Sequence, residues 1–238
     1  MIKALSIVAI FVLLIVGYYF MRPTWVPVYQ KIVGKQTVLD VIEEYGHSAE
    51  VRLLPYFENA GAQYPPTKVT LIAIKDTEQL ELWAGSGESY KFVRSYSILA
   101  ASGILGPKLR EGDRQVPEGL YNLEYLNPNS SYHLSMKLNY PNKFDLKHAR
   151  IEGRTEPGTN IFIHGKALSI GCLAMGDAVI EELFYLTSTI GKENVEVIIA
   201  PSDSRKKDIM VLAENQPDWV EELYEDITQR LRMFQHDT

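Results

Sequence analysis

Cysteine is almost absent from this chain. The 238 residues contain one cysteine, Cys172, so no intramolecular disulfide can form. One thiol with scattered histidines also falls short of the four-ligand sets of structural zinc sites. A lone thiol in an exported domain risks wrong disulfides and usually has a chemical task, whereas a buried, inert cysteine is the commoner case in general. The neighbours of Cys172 must decide between these two interpretations.

An excess of positive charge is absent as well. The chain has 24 basic and 30 acidic residues, a formal net charge of -6. General nucleic-acid binding needs a basic footprint, so nucleic acid is excluded as a partner. We find no internal repeat and no nucleotide, dinucleotide or metal motif, and we therefore expect no metal and no organic cofactor. The hydrophobic fraction of 46% suffices for one good-sized domain with a core.

Charged residues are missing from one long stretch near the N-terminus. The run "ALSIVAIFVLLIVGYYFM", residues 4–21, is uncharged. As a helix it would be about 27 Å long, close to the thickness of the hydrocarbon core of a bilayer. No small-x-small cleavage site follows it, which argues against a cleaved signal peptide, and a buried core helix is a poor alternative here. We therefore predict a single-pass transmembrane anchor over residues 1–21.

The rest of the chain divides into three parts by pattern. Residues 22–67 are predicted to form a juxtamembrane linker and a helical segment, with a helix capped by Thr37 and ended by Gly46 before a second one starts. Residues 68–201 contain short apolar or alternating runs between Gly, Pro and Asn, which predicts a mainly β domain with added helices, an α+β fold. Residues 202–238 are predicted to be a helical C-terminal extension.

The neighbours of Cys172 indicate nucleophilic chemistry. In "NIFIHG" a predicted strand ends at His164, and "IGCLAMGD" leads through a turn into a helix for which Asp177 is the expected N-cap. A nearby histidine can take the thiol proton and a helix N-terminus stabilises the thiolate, so we expect a lowered pKa for Cys172. The N–H groups of Gly171 and Cys172 are oxyanion-hole candidates, and the Ser169 hydroxyl can hold the turn. Spacing alone leaves a core histidine with an inert cysteine as an equal alternative.

Two motifs in the predicted β domain belong together. The first is a His-Gly at a strand end followed by a Ser-x-Gly-Cys turn, carried by His164, Gly165, Ser169, Gly171 and Cys172. The second is a Pro-x-Gly-x-Tyr strand entry, carried by Pro117, Gly119 and Tyr121. Together they resemble the L,D-transpeptidase (YkuD-type) catalytic domain over roughly residues 68–201, with features similar to its YafK-type branch.

The resemblance implies a fold, a reaction and a role for each residue. It implies a β-sandwich or barrel catalytic domain behind the membrane helix, in an exported enzyme that remodels peptidoglycan. Cys172 would attack a carbonyl of the stem peptide, and His164 would take the thiol proton and then protonate the leaving amine. The carbonyl of Gly165 would orient the imidazole, and the N–H of Gly171 would belong to the oxyanion hole.

Two positions depart from the family pattern. Ile170 stands where the family usually has histidine, and Ala174 stands where it usually has arginine. Another cation would then have to hold a carboxylate of the substrate. The candidates for substrate binding are Arg154 and Lys108, then Arg114, with His133 as a further candidate for the wall of the cleft.

The resemblance leaves three functions open. The first is acyl transfer between stem peptides through a thioester. The second is hydrolysis of a peptidoglycan crosslink or of a bond between an envelope lipoprotein and peptidoglycan, and the third is a non-catalytic peptidoglycan-binding module with an inert thiol. We expect an inner-membrane protein whose catalytic domain lies in the periplasm.

Overall fold

The computed structural model describes residues 12–18, 20–87 and 89–235. Its helices are α1 (Arg22–Val33), α2 (Val38–Asn59), α3 (Lys143–Ile151), α4 (Asp177–Ile190) and α5 (Val220–Leu231). Its strands are β1 (Lys68–Ile74), β2 (Gln79–Ser86), β3 (Ser89–Ser97), β4 (Ala100–Ala101), β5 (Gly119–Ser130), β6 (His133–Leu138), β7 (Phe162–His164), β8 (Leu173–Ala174) and β9 (Val195–Ala200). Short 3-10 turns lie at Lys192–Asn194 and Met210–Ala213, and residues 12–18 are helical as well.

The predicted membrane anchor lies partly outside these residues. Of the stretch 4–21, residues 4–11 and 19 are not described. Within the parts of the chain that are described, we find no helix that is both long enough and apolar enough to cross a membrane.

The described strands form one mixed sheet of nine, in the order β3-β2-β1-β9-β5-β6-β7-β8-β4. β1 and β2 form an antiparallel hairpin, whereas β1 with β9 and β7 with β8 are parallel pairs. The long strand β5 pairs with β9 along its first part and with β6 along its second part, so it joins the two halves of the sheet. The α+β class is confirmed. The pairing gives one continuous sheet with β3 and β4 at its edges, where we expected a sandwich or a barrel.

Both faces of the sheet are covered. Side chains alternate along β1, so Leu71 and Ala73 face one core and Ile72 and Ile74 face the other. The first core also contains buried side chains of α2 and α4, and the second contains those of α5. A strand that is buried on both faces has a nearly continuous apolar sequence, and this accounts for the run "VTLIAI", in which Thr70 is the one polar residue.

A buried ion pair fastens α5 to the sheet. The ammonium of Lys75, just after β1, lies 2.8 Å from Oε1 of Glu118, and the Tyr224 hydroxyl of α5 donates to Oε2 of the same carboxylate at 2.8 Å. The N–H of Gly106 donates to Oε1 at 2.7 Å. Breaking a buried pair on one side typically costs about 3–5 kcal/mol. The loop between Gly106 and Glu118 is therefore held firmly at both ends.

The segment before the sheet differs from the prediction. α2 is a single helix over Val38–Asn59, capped by Thr37 as expected, where the sequence predicts two short helices. Gly46 does not end the helix. It is buried, and a Cβ atom there would lie 3.1 Å from the ring of Tyr185, so the missing side chain lets α2 pack closely against α4.

Candidate active site

Strand pairing brings the histidine and the cysteine together. β7 ends at His164 and runs parallel to β8, with Ile163 opposite Leu173. Cys172 immediately precedes β8, so this register places it beside the start of β7. Both side chains line a cleft of about 610 Å³, together with the loop before β5 and the tip of the β5–β6 hairpin.

His164 is held in one tautomer. Its Nδ1 lies 2.6 Å from the carbonyl oxygen of Gly165, and because a carbonyl oxygen only accepts, the proton is on Nδ1. In the neutral form of the ring, Nε2 then carries a lone pair. The residue is 3% exposed, and this burial lowers the pKa of His164, opposed by the hydrogen bond to Gly165. A lowered pKa favours the neutral form of the imidazole, which is able to accept a proton.

Gly165 lies where three elements meet. A Cβ atom at this position would lie 2.7 Å from the backbone oxygen of Tyr132 and 2.8 Å from Oδ1 of Asp177. The ring of Tyr132 also packs on the imidazole of His164, with the ring centroids 4.8 Å apart. The tip of the β5–β6 hairpin thus contacts both the histidine and the glycine whose carbonyl orients it.

Ser169 closes the turn before the cysteine. Its hydroxyl donates to the carbonyl oxygen of Cys172 at 2.6 Å and accepts from the Cys172 N–H at 3.0 Å. This is the turn contact expected of Ser169. The same hydroxyl occupies the Cys172 N–H, which is one of the two expected hydrogen-bond donors of the oxyanion hole. The N–H of Gly171 has no acceptor among the described residues, so it is the donor that stays available.

Burial disfavours the thiolate form of Cys172. Burial raises its pKa, and a backbone hydrogen bond from Phe162 and the charge of Lys108 oppose this rise only in part. The thiol instead donates a weak hydrogen bond, 3.8 Å long, to the carbonyl of Asn160. The expectation of a lowered pKa is therefore wrong.

A carboxylate, rather than the thiol, lies at the start of α4. The N-cap is Gly176, and Asp177 is the first helical residue rather than the predicted N-cap. The Asp177 carboxylate accepts from the Lys166 N–H at 3.0 Å and pairs with the Lys166 ammonium. A carboxylate thus already supplies the negative charge that a helix N-terminus stabilises.

Alkylation of Cys172 should be slow at pH 7 and should accelerate towards alkaline pH. The thiolate is the reacting form, and a raised pKa in the folded protein keeps its fraction small at neutral pH. Labelling with iodoacetamide across pH, followed by mass spectrometry, should give a midpoint above that of the same chain unfolded in urea. A midpoint at or below the value of the unfolded chain would contradict the raised pKa.

Two of the three predicted cations line the cleft, namely Lys108 and Arg114. Arg154 does not line it. Its guanidinium binds the Glu152 carboxylate at 2.6 Å and the Leu109 carbonyl at 2.7 Å, so it supports the loop from outside. The prediction that Arg154 is among the first candidates for substrate binding is therefore wrong.

The two cations in the cleft differ in availability. Lys108 is 6% exposed, and its ammonium pairs with Asp113 and donates to the Arg110 carbonyl at 2.9 Å. Burial opposes ionisation of Asp113, but its hydrogen bonds to Lys108 and to backbone N–H groups hold its pKa below the ordinary value. Arg114 is exposed and has no ion-pair partner in the described part of the chain. Arg114 is therefore the cation better placed to receive a carboxylate.

The stretch "SSYHLSMKL" contributes Tyr132 to the cleft, where we expected His133. Nε2 of His133 lies 2.9 Å from Oε1 of Glu181, and its ring packs edge-on against Tyr45, so it faces α2 and α4. Tyr132 lies in the turn before β6, and His133 has a left-handed backbone conformation with φ of 75°, so strand alternation does not govern which of the two side chains faces the cleft. Sequence reasoning missed Tyr132 because the local conformation of this turn is not evident from the sequence pattern.

The fold and the cleft define the class of protein. The family model of the L,D-transpeptidase catalytic domain (YkuD) matches residues 68–199, and the chain belongs to this family. The Escherichia coli K12 protein named "Putative L,D-transpeptidase YafK" is 37% identical over 132 residues, which cover 53% of this chain and 51% of YafK. The chain thus spans about half the length of the curated relatives that it matches. The solved structure of the helical cell shape determining protein Pgp2 from Campylobacter jejuni is similar with a TM-score of 0.47 and 17% identity, covering 72% of this chain and 71% of Pgp2.

Proposed function

We propose that this chain is a cysteine acyl-transfer enzyme that acts on the stem peptides of peptidoglycan, as an L,D-transpeptidase. The observation that carries the proposal is the His164 imidazole, whose Nδ1 is fixed by the Gly165 carbonyl and which lines the same cleft as the chain's single thiol. Membership of the L,D-transpeptidase family supports the reaction class. The stem-peptide substrate and the acceptor belong to the proposal.

In the proposed reaction, Cys172 attacks a carbonyl of the stem peptide as a neutral thiol. Its proton passes to Nε2 of His164 as the S–C bond forms, and the Gly165 carbonyl stabilises the resulting imidazolium through the Nδ1 proton. The N–H of Gly171 donates to the developing oxyanion. The imidazolium then gives its proton to the leaving amine as the C–N bond breaks, and a thioester remains.

The thioester can be resolved in two ways. An amine acceptor gives a crosslink, whereas water gives a cleaved peptide, as in the hydrolase alternative for crosslinks or for a lipoprotein tether. The deciding experiment incubates the full-length chain with defined muropeptides in water that carries heavy oxygen, and separates the products by mass. A crosslinked product supports transpeptidation, and a product that contains heavy oxygen supports hydrolysis. Binding of muropeptides without any turnover would contradict the proposal and favour the binding module.

Arg114→Gln should weaken the use of an acidic stem peptide roughly 10- to 100-fold in kcat/KM. A hydrogen bond to a charged group contributes about 1.5–3 kcal/mol, and each factor of ten corresponds to about 1.4 kcal/mol. Arg110→Gln is the matched control, because Arg110 is exposed on the same loop but does not line the cleft. The rate of Cys172 alkylation should stay unchanged in both variants. Equal kcat/KM in the two variants would show that Arg114 does not hold a substrate carboxylate.

The proposal also includes a location. Peptidoglycan lies outside the inner membrane, so the catalytic domain would face the periplasm. The uncharged run at residues 4–21 is the proposed single-pass anchor. Release of the full-length chain from membranes by high salt alone would contradict the anchor, whereas a requirement for detergent would support it.

A further inference from the structure

The helix after the predicted anchor contacts the tip of the β5–β6 hairpin. Nε of Arg22 donates to the Ser131 carbonyl at 2.7 Å, and Nε2 of Gln30 donates to the Asn129 carbonyl at 3.0 Å. Just beyond α1, the Asn129 side chain accepts from the Gln36 N–H at 2.9 Å and donates to the Gln36 carbonyl at 2.7 Å. We call these four hydrogen bonds the N-terminal clasp.

Strand pairing alone leaves the hairpin tip weakly held. The register between β5 and β6 is irregular between Asn127 and Ser130, so the ladder of backbone hydrogen bonds is interrupted there. The contact from Arg22 comes from 109 positions away in the sequence. The clasp thus adds hydrogen bonds from outside the hairpin to the two that the Asn127 and Ser130 side chains accept within the tip.

The same tip contacts the proposed base. The ring of Tyr132 packs on His164, and its backbone oxygen lies against Gly165. His164 is 3% exposed, and Tyr132, which lines the cleft, is one of the groups that cover it. If the tip moved outwards, the imidazole would lose this cover and water would reach it.

We propose that the N-terminal clasp, through its Arg22 and Gln30 contacts, is a positioning device for His164, holding the hairpin tip so that Tyr132 stays packed on the imidazole. The inference rests on the proposed role of His164 as the base of the reaction. Arg22 and Gln30 are positioning residues, because they act through the tip and line no part of the cleft. The segment that leads out of the predicted anchor would thus support the active site from outside the cleft.

The test is a double variant, Arg22→Ala with Gln30→Ala, in the full-length chain. We expect muropeptide turnover to fall roughly tenfold, because small displacements of catalytic groups are costly in rate. The NMR titration of His164 should move upwards towards the value of an exposed histidine, since burial lowers its pKa in the intact cleft. Thermal unfolding should change little. Arg22→Lys in the Gln30→Ala background keeps a donor for the Ser131 carbonyl and should restore part of the turnover.

Lys31→Ala is the matched control, because Lys31 is an exposed residue of α1 outside the clasp. It should leave both the turnover and the His164 titration at wild-type values. An unchanged titration in the double variant would overturn the inference, as would a loss of turnover that only follows the folded fraction. If the wild-type chain turned over no muropeptide, the proposed function would fail, but the His164 titration would still decide whether the clasp positions the imidazole.

Discussion

Cys172→Ala abolishes the conversion of muropeptides while the chain stays folded; this is the largest effect that we expect. In the proposed reaction the thiol forms the covalent bond to the substrate, and loss of a nucleophile of this kind lowers kcat on the order of a millionfold. The turn itself should survive, because Ser169 holds it through the backbone of residue 172, which alanine retains. Product formation from a defined muropeptide, measured by mass spectrometry, gives the result.

The chain offers an internal control for this variant. Cys172 is the one cysteine in the sequence, so wild-type protein that is alkylated to completion also lacks a free thiol. It should be equally inactive. Circular dichroism and thermal unfolding should match wild type in both preparations. A folded Cys172→Ala variant that still turns over muropeptide would exclude the thiol as the nucleophile.

His164→Ala is expected to lower kcat by about 10²- to 10⁴-fold, the usual contribution of general acid–base catalysis. No group would then take the thiol proton, and no group would protonate the leaving amine. The pKa of Cys172 is raised by burial, so the thiolate fraction grows only above neutral pH. The residual rate should therefore rise more steeply with pH in the variant than in wild type. A pH profile of single-turnover rates measures both effects.

His47→Ala is the matched control, since His47 is an exposed histidine of α2 that does not line the cleft. It should keep the wild-type rate and the wild-type pH profile. If His164→Ala lost no more activity than His47→Ala, the base of the reaction would have to be another group.

The pairing of a histidine with a cysteine was predictable because it depends on local patterns. A His-Gly at the end of a strand and a Ser-x-Gly-Cys turn before a helix are each encoded within a few residues. The order of the cations was not predictable in this way. Arg154 binds Glu152 and the loop backbone, and Lys108 pairs with Asp113, so only tertiary contacts left Arg114 exposed in the cleft.

Burial explains two further differences between the predictions and the structure, which concern the pKa of Cys172 and the role of Gly46. The pKa of Cys172 depends on how much of the thiol the fold removes from water, and no spacing in the sequence reports this. The same holds for Gly46, which has the pattern of a helix end but is buried against Tyr185 inside a continuous helix. From the sequence alone, a glycine that permits close packing cannot be distinguished from a glycine that ends a helix. The distinction requires the residue that packs against it, which here is Tyr185.

The packing of α5 determines how much of the chain an isolated catalytic domain must contain. The family match ends at residue 199, before α5 begins, yet α5 supplies much of the core on one face of the sheet. A gene fragment cut at that boundary would encode a sheet with Ile72 and Ile74 laid open to solvent, and an apolar patch of that kind promotes aggregation. It would also leave the carboxylate of Glu118 without the Tyr224 hydroxyl. The part of the chain that the family model matches is therefore shorter than the part that must be present for the sheet to be covered on both faces.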